Sequence, residues 1–205
     1  MVSVITGDII NSRKASSATW LAPLKKQFNL FGKSPATWEI YRGDSFQIEI
    51  SDPTDALLAA LRIKATLRSI RDMDVRMAVG VGKKTFTSSR VSESNGPAFV
   101  NSGEKFEELT QLKDRLGFRT PWPEFDRDLN LMISLASIVM DKWTTTSAEM
   151  IIHSLQHQQL SQAELGTKLK RSQSSISERQ KRAHFREIME MESWYRLRIG
   201  QKPAK

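Results

Sequence analysis

Residues 38–50 read WEIYRGDSFQIEI: two short β-rich runs on either side of Arg42-Gly43-Asp44, the pattern of a hairpin. Working outward, residues 2–10, VSVITGDII, are an apolar β run that enters a turn near Asn11-Ser12. Between the two, residues 16–31 carry Trp20, Leu21, Leu24, Phe28 and Phe31 at helical spacing, and Gly32 to Pro35 is turn material. After the hairpin, an amphipathic helix is expected over residues 53–70, with Asp52, Pro53 and Thr54 at its start. Its apolar face holds Ala56, Leu57, Ala60, Leu61, Ile63, Ala65, Leu67 and Ile70. VRMAVGVG, residues 75–82, is apolar enough for a central strand. Residues 83–95 are polar and read as loop, 98–112 as a helix, and Gly117 to Pro123 as a break.

From about Asp126 the pattern is helical only. LNLMISLASIVMDKW (129–143) has an apolar face, and TTTSAEMIIHSLQHQQ (144–159) opens with Thr/Ser caps and an early Glu that satisfy free N–H groups. Two short helices and a longer one into Trp194-Tyr195 follow. The fold class expected is α+β: an α+β domain over residues 1–122, then an all-α domain over 126–200.

Within the second part, LSQAELGTKLKRSQSSISERQKRA (160–183) resembles a helix-turn-helix. Leu165 and Leu169 would face inward, with Gln162 and Glu164 outward. Gly166 supplies the small residue needed where two helices cross. Lys170-Arg171 would form the turn, although Lys170 stands where such turns usually have Gly; Ser172 would cap the second helix and Ile176 anchor it. Gln173, Ser174, Ser175, Ser177 and Arg179 would then face outward, as side chains that contact base edges and phosphates do. Arg171, Lys181 and Arg182 would add phosphate contacts.

Composition agrees with such a partner. The 205 residues carry 31 Lys+Arg against 23 Asp+Glu, and residues 151–205 hold 11 of the cations and only 5 of the acids. A basic segment favours a polyanion, because neutralised phosphates release counterions. The absence of cysteine excludes a disulfide scaffold, Cys-ligated zinc, iron–sulfur clusters and thiol catalysis. No run of apolar residues is long enough to span a membrane, and the N-terminus lacks signal-peptide organisation, so a cytoplasmic protein without a membrane partner is expected.

Two carboxylates are candidate metal ligands. Asp8 ends a β run and Asp44 sits at the hairpin; side by side they would bind Mg²⁺, which takes one or two carboxylates plus substrate phosphates. The alternative is that Asp8 caps the next turn and Asp44 is a turn residue.

The segments ITGDIINS, YRGDSFQIEI, VRMAVGVG and GPAFVNSGEKFEEL resemble, in order, the motifs of class III nucleotidyl cyclase domains. The resemblance implies a ferredoxin-like, palm-type domain with Asp8 and Asp44 as the metal pair. It also implies Asn101 at the ribose and Lys105 where a transition-state Arg would stand. Ile40 and Ser94 occupy the places of the base-selecting Lys and its acidic partner, so cyclase-type base recognition is not expected. Such domains build their sites between two subunits, which implies a homodimer. The chain as a whole resembles the SatD family, through Ile5 to Arg13, Arg42-Gly43-Asp44, Lys142-Trp143-Thr144 and Ser161 to Ala183. The function expected is a transcriptional regulator that binds double-stranded DNA and senses a nucleotide or phosphorylated ligand with Mg²⁺. A divergent Mg²⁺-dependent nucleotidyl cyclase or transferase, with Asn101 and Lys105 catalytic, is the alternative.

GVGKKT at 80–85 does not meet the phosphate-loop pattern, since Met77 replaces the first Gly and Lys84 the Ser/Thr. His153 and His157 are four apart but have no third ligand in the sequence pattern, so they read as a half-exposed helix pair. Met189, Met191 and Trp194 read as a packing face.

Overall fold

The computed structural model describes residues 1–203. The hairpin is β2 (Trp38–Tyr41) and β3 (Ser45–Ile50). Arg42 and Gly43 between them take φ values of 52° and 91°, the left-handed backbone that reverses the chain so tightly. β3 pairs antiparallel with β1 (Val2–Ile10), and β1 pairs antiparallel along its other edge with β4 (Asp74–Gly82). α1 (Ser17–Phe28) links β1 to β2, and α2 (Ala56–Arg68) links β3 to β4. The helix expected over 53–70 therefore begins as a 3-10 turn at Pro53–Asp55, with the Asp52 side chain accepting from the Thr54 N–H at 2.9 Å.

α3 (Pro97–Leu112) leads to β5 (Leu116–Arg119), which lies parallel to β4 and completes a five-stranded mixed sheet in the order β2-β3-β1-β4-β5. The break expected over Gly117 to Pro123 is thus partly a strand. Its four residues offer only Leu116 and Phe118 to the core, too few for a period-2 signal. A Cβ at Gly117 would meet Lys105 Cε at 2.5 Å and the Leu109 side chain at 3.0 Å, so those side chains would have to give way.

The two faces of the sheet differ in what they bury, and both bury apolar residues, Val4 and Ala78 lying on the second. Ile5, Ile9, Phe46, Ile48, Val75, Met77 and Val79 enter the main core beneath α1 and α2. The opposite face carries Thr6, Asp8, Ser45, Gln47 and Arg76, and α3 covers part of it. α3 comes unusually near: a Cβ on Gly80 would strike the backbone of Ala98 and Ser102, and one on Gly82 would meet Ala98 N at 2.7 Å. The glycines of the phosphate-loop look-alike are therefore there for helix–sheet packing.

The remaining helices are α4 (Pro123–Met140), α5 (Thr145–Gln156), α6 (Gln162–Leu169), α7 (Gln173–Arg182) and α8 (Phe185–Gly200). The main core runs on into them through Leu129, Ile133, Ile151, Leu155 and Tyr195. Tyr195 donates to the Pro53 carbonyl at 2.8 Å, and Arg62 donates to the Leu155 carbonyl at 2.6 Å. Trp194 stacks on Phe125 with ring centroids 5.6 Å apart, as expected of a packing face. Beneath the start of β4, buried Lys64 pairs with Asp74 at 3.1 Å and with Asp141 at 2.6 Å; Arg115 also reaches both acids. This cluster ties the end of α4 to the sheet.

Candidate nucleic-acid interface and carboxylate pair

α6 and α7 are joined by three residues. Ser161 opens α6 with a reciprocal capping box to Glu164, and the Ser172 hydroxyl caps α7 by accepting from the Ser175 N–H at 3.2 Å. Lys170 has φ 53°, the left-handed conformation that usually selects Gly. Gly166 is needed where the turn folds back, since a Cβ would lie 2.7 Å from the Arg171 carbonyl oxygen. Leu165 and Ile176 are buried with Met150 of α5, and Leu160 and Leu169 pack around them. This small core is separate from the main one.

Arg171, Gln173, Ser174, Lys181 and Arg182 are exposed, and Ser175, Ser177 and Arg179 are half-buried on the flanks of α7. Residues 160–184 hold six Lys/Arg against two Glu. Among the described residues, Arg171, Arg179, Lys181 and Arg182 enter no ion pair. Arg179 and Arg182 also line a cavity of about 290 Å³ with Lys142, Thr144, Thr146 and Ser147.

Gln162 departs from the outward orientation expected of it. It accepts from the Gln173 amide at 2.8 Å and donates to Gln180 at 2.9 Å; Gln180 in turn donates to Ser154. Gln173 is therefore held by the first residue of the preceding helix. The sequence signal was the Ser-Gln pair that opens both helices, Ser161-Gln162 and Ser172-Gln173.

At the other site, Asp8 faces Ser45 across the β1–β3 ladder, and the Ile9 N–H donates to the Asp44 carbonyl at 3.1 Å. The motif residues around them have structural reasons. Gly7 leaves room for the Phe46 ring, and Ser12 donates to Asp44 Oδ2 at 2.6 Å, fixing that carboxylate. Asp8 Oδ1 is buried without a hydrogen-bond partner, while Oδ2 lies 3.6 Å from the Arg76 guanidinium. Burial pushes the Asp8 carboxyl above its ordinary pKa; Arg76 opposes this and the nearby Asp44 charge adds to it. An orphaned carboxylate oxygen beside a second carboxylate suits a hard cation shared with phosphate oxygens. Among the described residues no third acidic or His side chain joins them.

Asn101 and Lys105 do not converge on this pair. Asn101 donates to the Val81 carbonyl at 2.8 Å, whereas Asp8 pairs with Arg76, at the far end of β4. Lys105 is buried and turns toward β5, bonding Glu108 at 2.7 Å beside Arg119. That bond holds the Glu108 carboxyl below its ordinary pKa. Ile40 packs against the main core, and the Ser94 hydroxyl is buried within the 88–94 loop. His153 is half-buried, and burial lowers its pKa.

Among the described residues, no helix is long and apolar enough to cross a membrane. No curated protein and no solved structure matches the chain significantly. Comparison with protein families matches residues 2–190, which include both the carboxylate pair and the α6–α7 turn, and on that match the chain belongs to the SatD family.

Proposed function

We propose that this protein is a DNA-binding transcriptional regulator whose α5–α7 segment acts as a helix-turn-helix. The observation that carries the reading is the exposed side of α7. It offers exposed Gln173 and Ser174, with half-buried Ser177 on its flank, for base edges; Arg171 of the turn and Arg179, Lys181 and Arg182 of α7 are four basic side chains that no carboxylate neutralises. The three-residue turn, the small core at Ile176 and the Gln162 buttress support it, because a reading helix must be held at a fixed angle. As a homodimer the protein would set two α7 helices on two half-sites.

The β1-α1-β2-β3-α2-β4 order, with β1 between β3 and β4, supports a ferredoxin-like, palm-type reading of the first part. The Asp8–Asp44 pair supports Mg²⁺-assisted binding of a nucleotide or phosphorylated ligand there. When bound, the ion would neutralise the two carboxylates and orient phosphate oxygens; Ser12 would keep Asp44 in place. The cyclase or transferase reading would need Asn101 and Lys105, which bond Val81 and Glu108 within their own chain, to reach the carboxylate pair from a second copy, and the sensor reading does not need them.

The DNA reading is tested by fluorescence anisotropy on duplex DNA over a salt series. Wild-type affinity should fall steeply with salt. Arg171→Ala and Arg182→Ala should each weaken binding and reduce the log–log slope by roughly one phosphate contact. A flat salt dependence, or no binding to any duplex, overturns it. Calorimetry with a nucleotide panel, with and without Mg²⁺, on wild type and Asp44→Asn tests the ligand site. Mg²⁺-dependent binding that Asp44→Asn abolishes supports a sensor, and turnover of the bound nucleotide would favour the enzyme.

A further inference from the structure

α4 leaves one face uncovered. Leu131, Leu135 and Ile138 are 62%, 59% and 59% exposed, unlike Leu129, Ile133 and Met140, which the core swallows. The three lie at successive spacings of four and three, so they form one stripe. The stripe continues to exposed Asp128, three residues before Leu131, and to exposed Lys142, four residues after Ile138. Beside it runs a groove of about 360 Å³ between α4 and α8, apolar except for His184 and Glu187 in its lining.

A 3-4 stripe that ends in acid at one end and base at the other is complementary to itself reversed. Glu124 and Asp128 are exposed in the first turns of α4, where Arg127 offsets one of the two charges. Lys142 lies just past the last turn. If two copies of α4 run antiparallel about a two-fold axis near Leu131–Leu135, each Lys142 falls against the Glu124–Asp128 turn of the other copy. The leucines of each copy then reach the groove of the other. A parallel arrangement would instead set acid against acid and base against base.

We infer that the homodimer is formed through α4, packed antiparallel against α4 of a second copy. Neither the DNA reading nor the ligand reading is needed for this inference. The seam runs along α4, from Pro123 towards Met140. It ends at Lys142, which shares a cavity with Arg179 and Arg182 of α7.

The test is sedimentation equilibrium on the full chain, without DNA or nucleotide. Wild type should show twice the chain mass at micromolar concentration. Leu135→Glu should weaken association by more than about 100-fold, as expected for a charge at the centre of an apolar seam. Its circular dichroism and melting curve should show the monomer still folded, since position 135 is solvent-facing. Lys142→Glu should weaken association about tenfold, and adding Glu124→Lys with Asp128→Lys should recover it, which a merely unfolded variant would not do. A wild-type monomer overturns the inference. So does a dimer indifferent to Leu135→Glu, or a Lys142→Glu defect that the charge reversal fails to repair.

Discussion

Ile176→Ala should melt the α6–α7 turn while leaving the sheet intact. Ile176 is fully buried, and its companions in that small core are only Met150 and Leu165, with Leu160 and Leu169 half-buried at the edge. The substitution removes three carbons. At about 0.8 kcal/mol each that is about 2.4 kcal/mol, and the unfilled space brings the cost to about 3–4 kcal/mol. A core this small has little to spare, so α6 and α7 should open locally. The change corresponds to a loss of hydrogen-exchange protection of roughly several hundred-fold for amides in 162–182. Those of β1 and β4, which belong to the main core, should be unchanged. Hydrogen exchange with mass spectrometry reads both regions in one experiment. The reasoning is refuted if β1 and β4 lose protection in step with α7, or if α7 keeps it.

Asp8 should be a stability cost. Its folded pKa is raised, so the folded chain binds that proton more tightly than the unfolded chain. Stability therefore falls as pH rises from the ordinary carboxylate pKa through the raised folded value. Asp8→Asn should raise Tm at neutral pH and remove this fall, so that stability climbs more steeply with pH across the carboxylate range; a lower Tm at neutral pH would contradict the account. Mg²⁺ should raise the Tm of wild type and not of Asp8→Asn. Asp74→Ala should lower unfolding free energy by about 3–5 kcal/mol in chemical denaturation, since it strips Lys64, buried beneath it, of one of two carboxylates. A loss below about 1 kcal/mol would mean that Asp141 alone satisfies Lys64.

What the sequence made legible were features with a local cause. The hairpin followed from Arg42-Gly43-Asp44, and the α6–α7 turn from two Ser caps and a buried Ile. Lys170 appears as a departure in the sequence and as a left-handed residue in the structure. Features set by distant packing were not legible. β5 is too short to show a period, and it exists because β4 offers it an edge. The directions of Asn101 and Lys105 are decided by how closely α3 approaches Gly80 and Gly82, which the α3 sequence does not encode. Ser12 and Gln162 act across gaps of 32 and 11 residues, on Asp44 and Gln173, so their roles emerge only when the chain is folded.

The most direct test of the central claim is selection from a random pool of duplex DNA by the full-length protein, repeated with a Gln173→Ala, Ser177→Ala variant. The account predicts an enriched motif for wild type, with half-sites if the protein acts as a dimer, and loss of preference in the variant with much of the non-specific binding kept. A pool that never enriches, or a motif unchanged in the variant, would contradict it.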